Sequence, residues 1–191
     1  AKSIIAQTKF RKGKLFLKEK DLTHYKTWQF VKHGIAYFPQ GGGIFPNLTV
    51  KENLRFAGLH LNNKVFTKRL NELYGFLPDI AAHKKQIKAG ALSGGEKHLL
   101  SLQMVLLQKP DLLILDEPSA GLAPKAAEGI YESLNQIRNK TQISMLVIEQ
   151  NVDKVLTFAD RIILIKNKQI ALETLSNETN LSEINTYYFN N

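Results

Sequence analysis

Four apolar residues, Leu112-Leu113-Ile114-Leu115, run without a break into Asp116-Glu117-Pro118. A strand with one wet face alternates apolar and polar residues. A continuous apolar run marks a strand covered on both faces, the habit of parallel sheets flanked by helices. Pro118 has no N–H for a ladder and ends the strand. The two acids therefore stand at a strand's carboxyl end, where open α/β sheets bind their ligands. Asp116 at the tip is placed to hold Mg²⁺ directly or through water. Glu117 points differently and is placed to orient or deprotonate a water. A solvated acidic turn would read the same way at this level.

The surrounding pattern agrees with a parallel sheet. Residues 35–38 form a short strand stopped by Pro39-Gln40, and Gly41–Gly43 then break regular structure. Residues 143–148 read as a second buried strand. Between the two later strands, Pro124 opens a helix with Ala127, Ile130, Leu134 and Ile137 at helical spacing. Strand, helix, strand order calls for crossover connections and parallel pairing. Further helices are expected over 28–32, 49–61, 65–77 and 152–158, the last turn of another over 1–7, and an exposed strand over 14–18. Residues 86–91 read as a loop. Residues 162–166 and 169–173 flank Asn167-Lys168, an Asn-containing hairpin turn. The tail from Leu175 is polar and ends in Tyr187, Tyr188 and Phe189.

A second motif is Leu92-Ser93-Gly94-Gly95-Glu96, followed by Leu99, Leu102 and Leu106. Ser93-x-x-Glu96 is a capping box. Glycines at a helix start let backbone approach a phosphate, and free N–H groups and the dipole favour an anion there. Such boxes also cap helices that bind nothing, and both readings stand at this point.

Taken together, and with Ser93 23 residues before Asp116, the two motifs resemble the signature and Walker B motifs of ATP-binding cassette (ABC) ATPases. Gln40 after residues 35–39 resembles the Q-loop glutamine. Residues 119–124, Ser-Ala-Gly-Leu-Ala-Pro, occupy the D-loop position, and Ile148-Glu149-Gln150-Asn151 the switch position. Ala159-Asp160-Arg161 and the following hairpin fit as well, so the resemblance runs from residue 1 to about 173. It implies a P-loop NTPase core, α/β with a parallel sheet, and an inserted helical subdomain. The division it implies is 1–44, partial ATPase core up to the Q-loop; 45–108, helical subdomain with the signature; 109–191, the rest of the core and a C-terminal tail.

The resemblance also implies roles. Asp116 and Gln40 would coordinate Mg²⁺. Glu117 would act as catalytic base, and Gln150 would sense the γ-phosphate. Ser93, Gly94 and Gly95 would meet ATP held by a second ATP-binding subunit in a head-to-tail dimer. Transmembrane permease subunits would be the other partners, met through the region after Gln40, and the protein would sit in the cytoplasm on the inner face of the membrane. Gln150 in place of the usual switch histidine, and Ala123 in place of the usual D-loop aspartate, resemble the ATPase subunits of branched-chain amino-acid importers. Lipopolysaccharide exporters share the general layout. Met104 stands where many cassettes carry an arginine, so the helix behind the signature is expected to be anchored differently.

One expected motif is not found. No G-x-x-x-x-G-K-[ST], whose N–H groups and lysine cradle phosphates, occurs in the 191 residues. Gly41–Gly43 lack the following Lys-Ser/Thr, and Lys2-Ser3 have no preceding glycines. A truncated chain or a degenerate cassette would both read this way. In either case weak ATP binding by these residues alone, and strands with open apolar faces, are expected.

Composition narrows the remaining classes. With no cysteine, a disulfide framework, a thiolate metal site and a cysteine nucleophile are excluded. Histidines 24, 33, 60, 83 and 98 show no metal-ligand spacing. No apolar run approaches the ~18–20 residues of a membrane span, and residues 1–10 lack a signal-peptide core, so an intracellular protein is expected. The net charge is +9, and residues 1–100 hold 18 of the 26 Lys/Arg but 6 of the 17 Asp/Glu. That asymmetry allows a nucleic-acid footprint, and with it a soluble cassette protein acting on ribosomes or nucleic acid. The lysines are scattered rather than on one helical stripe, which reads as a solvated face or one beside anionic lipid.

Overall fold

The computed structural model describes residues 2–8 and 12–189. They divide into two compact units, meeting in the chain between Ile148 and Glu149.

The first unit is built on a three-stranded parallel sheet. β3 (Ile35–Phe38), β4 (Leu112–Asp116) and β5 (Ser144–Ile148) lie in the order β3-β4-β5. Ile35 pairs with Leu112 and Phe38 with Leu115; Leu112 pairs with Ser144 and Asp116 with Ile148. Leu113, Ile114 and Leu115 are fully buried, as the unbroken apolar run requires of a central strand. β5 differs from expectation. Its residues are exposed or half-buried, and Leu146 is 36% exposed. Its only partner among the described strands is β4, so its apolar composition is not matched by full burial.

Helices cover the sheet. α5 (Gly94–Leu106) buries Leu100 and Leu102, and α6 (Pro124–Lys140) buries Leu134 and Ile137. α5 packs on both β3 and α6. Proline at the first position of α6 has a fixed φ suited to a helix start and loses only an N–H that would be unpaired there. Ile5, Leu22, Phe30, Ile35 and Ile114 form a second apolar cluster. Around it lie a two-stranded ribbon, β1 (Phe16–Leu17) and β2 (Lys20–Asp21), and α1 (Thr27–Lys32). The expected strand over 14–18 is thus two residues long. The expected helical end over 1–7 is instead a series of turns over residues 2–6, with Ala6 at φ +58°. Burying Ile5 in this cluster takes precedence over continuing a helix that β-branched Ile4 and Ile5 favour little.

Between β3 and β4 lie α2 (Val50–Ala57), α3 (Asn63–Tyr74), α4 (Ala81–Lys84) and a 3₁₀ turn, Ala89–Ala91, before α5. α2 stops at Gly58, where a Cβ would lie 2.4 Å from the Phe66 ring. The expected helix therefore ends four residues early, because the chain turns there against α3.

The second unit holds α7 (Val152–Phe158), the hairpin of β6 (Arg161–Lys166) and β7 (Gln169–Leu175), and α8 (Leu181–Phe189). Asn167 and Lys168 both take positive φ, +52° and +66°, the backbone of a type I′ turn. α8 lies in the stretch that reads as a polar tail; its buried anchor is Ile184.

Truncating a β4 side chain should therefore cost far more than truncating one on β5. Leu113→Ala is expected to lose about 2–5 kcal/mol, and Leu146→Ala about 1 kcal/mol or less. Urea unfolding midpoints of the two variants measure the difference; equal losses would contradict this account of β5.

Candidate functional site

The carboxyl ends of β3 and β4 bring four chemistry-bearing side chains together. Tyr37 Oη donates to Asp116 Oδ2 at 2.7 Å. Gln40 Nε2 donates to Glu117 Oε2 at 2.5 Å. Strand register makes these pairs. With Phe38 beside Leu115, the residues just beyond each strand end come level, and Gln40 reaches across to Glu117.

Glu117 itself is held in an uncommon backbone shape, φ +47°. For a non-glycine residue this region costs of order 1–2 kcal/mol and persists only where surrounding structure enforces it. Here the Glu117 N–H donates to Ile148 O at 2.9 Å, and Pro118 follows, buried. The ladder thus continues one residue past Asp116 while the chain turns, and the two carboxylates meet different partners, Tyr37 and Gln40.

Tyr37 was not expected at the site. Burial first, and then the hydrogen bond and charge of Asp116, push its phenol up to about 12. The signal that could have revealed it is a tyrosine within a buried strand, whose hydroxyl needs a partner.

The signature residues form a separate local cluster. Ser93 Oγ accepts from Glu96 N at 3.4 Å, and Ser93 N donates back to Glu96 Oε2 at 3.0 Å. Lys84 also binds the Glu96 carboxylate. That bond, then the Ser93 N–H, holds the Glu96 carboxyl below its ordinary range. Ser93 and Gly94 are exposed and Gly95 half-buried. The two glycines are also closely packed. A Cβ on Gly94 would lie 3.2 Å from Leu122, and one on Gly95 3.2 Å from Ala126. The start of α5 therefore rests on the 119–124 loop and the first turn of α6.

A direct link runs from Gln40 to the helix that carries the signature. Gly41 and Gly42 take φ +79° and +77°. Gly43 N then donates to Ser101 Oγ on α5 at 2.8 Å. Farther on, Asn53 is fully buried on α2. It accepts from Phe45 N and donates to Phe45, Leu48 and Thr49 carbonyls, so it braces the chain between the Q-loop position and α2. α5 is held from the other side by Gln103 on Pro78 O, Gln108 on Ala57 O and Arg69 on Leu107 O. Met104 is buried and apolar.

Gln150 lies in the second unit, at the bend before α7, with its N–H on the Glu149 carboxylate at 3.2 Å. Asn151 caps α7 by accepting from Lys154 N. The donor set around Asp116 is all oxygen: two carboxylates and the amide of Gln40. No group of three or more His, Cys, Asp or Glu placed to hold a metal exists among the described residues. Few protein oxygens suit Mg²⁺, which keeps waters and takes substrate phosphates as ligands.

Residues 1–120 match the ABC transporter family. The chain belongs to that family. It is 35% identical over 177 residues to a probable branched-chain amino acid transport ATP-binding protein, LivF, of Archaeoglobus fulgidus, covering 93% of this chain and 75% of the relative. It is 31% identical over 160 residues to the high-affinity branched-chain amino acid transport ATP-binding protein BraG of Pseudomonas aeruginosa, covering 84% and 68%. A crystal structure of a nucleotide-free ATP-binding cassette from an ABC transporter superposes with a TM-score of 0.80 at 25% identity, covering 100% of this chain and 82% of that one. The α/β fold with its parallel sheet is that of an ABC ATPase cassette, and the protein is an ABC transporter ATP-binding subunit. No helix among the described residues is long and apolar enough to cross a membrane.

The raised Tyr37 phenol gives a pH dependence with a definite sign. Its neutral form is favoured in the fold, so its contribution to stability is complete below about pH 10 and is lost as pH rises towards about 12. Tyr37→Phe should remove one late step from the ultraviolet phenolate titration and flatten that part of the stability profile. A titration with the same late steps in both proteins would show that Tyr37 is not held as described.

Proposed function

We propose that this cassette powers a branched-chain amino-acid transporter, working as the ATP-hydrolysing subunit beneath transmembrane permease subunits at the inner face of the cell membrane. Two relatives named for branched-chain amino acid transport support the solute class, as do Gln150 at the switch and Ala123 before α6. In this reading 1–44 and 109–191 belong to the ATPase core, and 45–108 to the helical subdomain facing the permease.

The observation that carries the catalytic reading is the Gln40–Glu117 hydrogen bond beside Asp116. An amide has a donor end and an acceptor end. Gln40 can hold Glu117 through Nε2 and offer its carbonyl oxygen to a cation, so one side chain ties the metal position to the base. Asp116 and Gln40 would hold Mg²⁺, and Tyr37 fixes one Asp116 oxygen. When bound, Mg²⁺ offsets charge on the transferring phosphoryl group. Glu117 positions the attacking water and accepts its proton. Ser93 and the N–H groups of Gly94 and Gly95 meet the γ-phosphate of ATP carried by a second cassette, using the free N–H groups at the start of α5. Gln150 senses that phosphate. Gly43–Ser101 passes movement at Gln40 to α5, and closure of the two cassettes drives the permease.

Two measurements test this. Calorimetry of the 191-residue chain with Mg-ATP should give weak or no binding, because no G-x-x-x-x-G-K-[ST] cradle occurs in it; micromolar affinity would refute that expectation. In the native protein isolated with its permease, Glu117→Gln should lower kcat by about 10²–10⁴-fold and leave nucleotide affinity unchanged. Undiminished turnover would remove Glu117 from the role of base.

A further inference from the structure

The start of α5 carries a buried histidine that packing alone does not account for. His98 lies one turn after Gly94 and is 5% exposed. Its Nδ1 is 3.0 Å from Gly94 O. A carbonyl oxygen only accepts, so Nδ1 carries the proton and donates. The neutral ring then has an unprotonated Nε2, and that nitrogen is buried with no hydrogen-bond partner among the described residues. The Phe38 ring lies against the imidazole, centroids 5.8 Å apart and planes tilted by 44°. Phe38 is itself fully buried at the end of β3.

Two features argue against a role in packing alone. A buried nitrogen without a partner destabilises a fold, and leucine would fill an apolar site in a helix without that loss. The Nδ1 bond is also redundant for the helix. A carbonyl oxygen has two lone pairs, and Gly94 O already takes the His98 backbone N–H in the ordinary i to i−4 pattern. What the extra bond reaches is the peptide group between Gly94 and Gly95, where Gly94 C=O and Gly95 N–H share one conjugated amide. The Gly95 N–H belongs to the open start of α5 and has no partner among the described residues. Hydrogen bonds in a chain polarise one another, so a donor on Gly94 O makes Gly95 N–H a stronger donor.

We propose that His98 is a positioning residue for the signature: its Nδ1–H fixes and polarises the Gly94–Gly95 peptide, so that Gly95 N–H meets the γ-phosphate of ATP on the second cassette as a strengthened donor. This rests on the proposed contact of Gly94 and Gly95 with that phosphate. Phe38 stands two residues before Gln40, so the strand that delivers Gln40 also holds the imidazole.

The test sets turnover against stability. In the native protein isolated with its permease, His98→Leu should lower kcat by about three- to tenfold. ADP affinity should not change, since ADP has no γ-phosphate. The urea midpoint of the same variant, measured on the 191-residue chain, should equal or exceed that of the wild type. His98→Asn should show the reverse profile. Its amide nitrogen stands close to the place of Nδ1 and restores most of the turnover that His98→Leu loses, while the space left by the smaller side chain lowers the urea midpoint. A histidine present for packing alone would make turnover follow stability. Nitrogen NMR of the 191-residue chain at about pH 8, above the ordinary histidine range, should show the His98 proton on Nδ1. A proton on Nε2, unchanged turnover in His98→Leu, or turnover that follows stability in both variants would each overturn the proposal. Glu117→Gln, measured alongside, separates this role from the reading beneath it. Turnover lost in Glu117→Gln but kept in His98→Leu removes the role of His98 alone. Turnover kept in Glu117→Gln removes the reading of the hydrolytic site, and the role of His98 with it.

Discussion

The site depends on how β4 ends. A strand buried on both faces can place polar atoms only at its tip, and β4 places Asp116 and Glu117 there. Had Glu117 continued in extended conformation, its side chain would stand on the opposite face of β4 from Asp116. The positive φ at Glu117, held by its N–H on Ile148 and by Pro118 behind it, prevents that. The strain is local and small. β5 enforces it, and in return the carboxylate meets Gln40 from the neighbouring strand.

That geometry makes the loop after β3 a mechanical part of the site. Gln40 touches Glu117, and three residues later Gly43 is bonded to Ser101 in the middle of α5. The intervening glycines do not loosen this link. Gly42 lies so close to α5 that a Cβ would be 3.3 Å from the Ser101 side chain, so the loop is seated on the helix. Asn53 then fixes the next stretch with four hydrogen bonds around its buried amide. A displacement of Gln40 therefore has two stiff outlets, towards α5 and towards α2.

The elements legible in the sequence are those whose signals are periodic or stereochemical. The unbroken run at 112–115, the Ser93–Glu96 box, Pro124 at the first position of α6 and Asn167 in a tight turn each have one cheap structural solution, and each took it. The four-residue α4 and the two-residue ribbon β1–β2 are too short to have a period. β5 reads as buried because composition reports what a strand prefers to touch, whereas its burial depends on which neighbours it has. Asp116 and Glu117 were legible as acids at a strand's end because that placement is covalent, and Gln40 was named by the resemblance. Tyr37 was not, because its role arises only when two strands are set in register. Gln150 was named by the resemblance, from its place after β5.

The glycines of the signature show why a motif and its structural cause must be argued separately. Gly94 and Gly95 suit a phosphate, yet Leu122 and Ala126 already crowd a Cβ at both positions. Close packing favours glycine there with or without a ligand. What packing leaves unexplained is exposure. A helix start seated on α6 for structural reasons alone would gain by covering its first N–H groups, and the Ser93 box satisfies only part of them, leaving Ser93 and Gly94 open to solvent. Close packing from behind with open N–H groups in front is the arrangement an anion from another molecule needs. The packing supplies rigidity and the exposure supplies access, and the case for a shared nucleotide site rests on the two together.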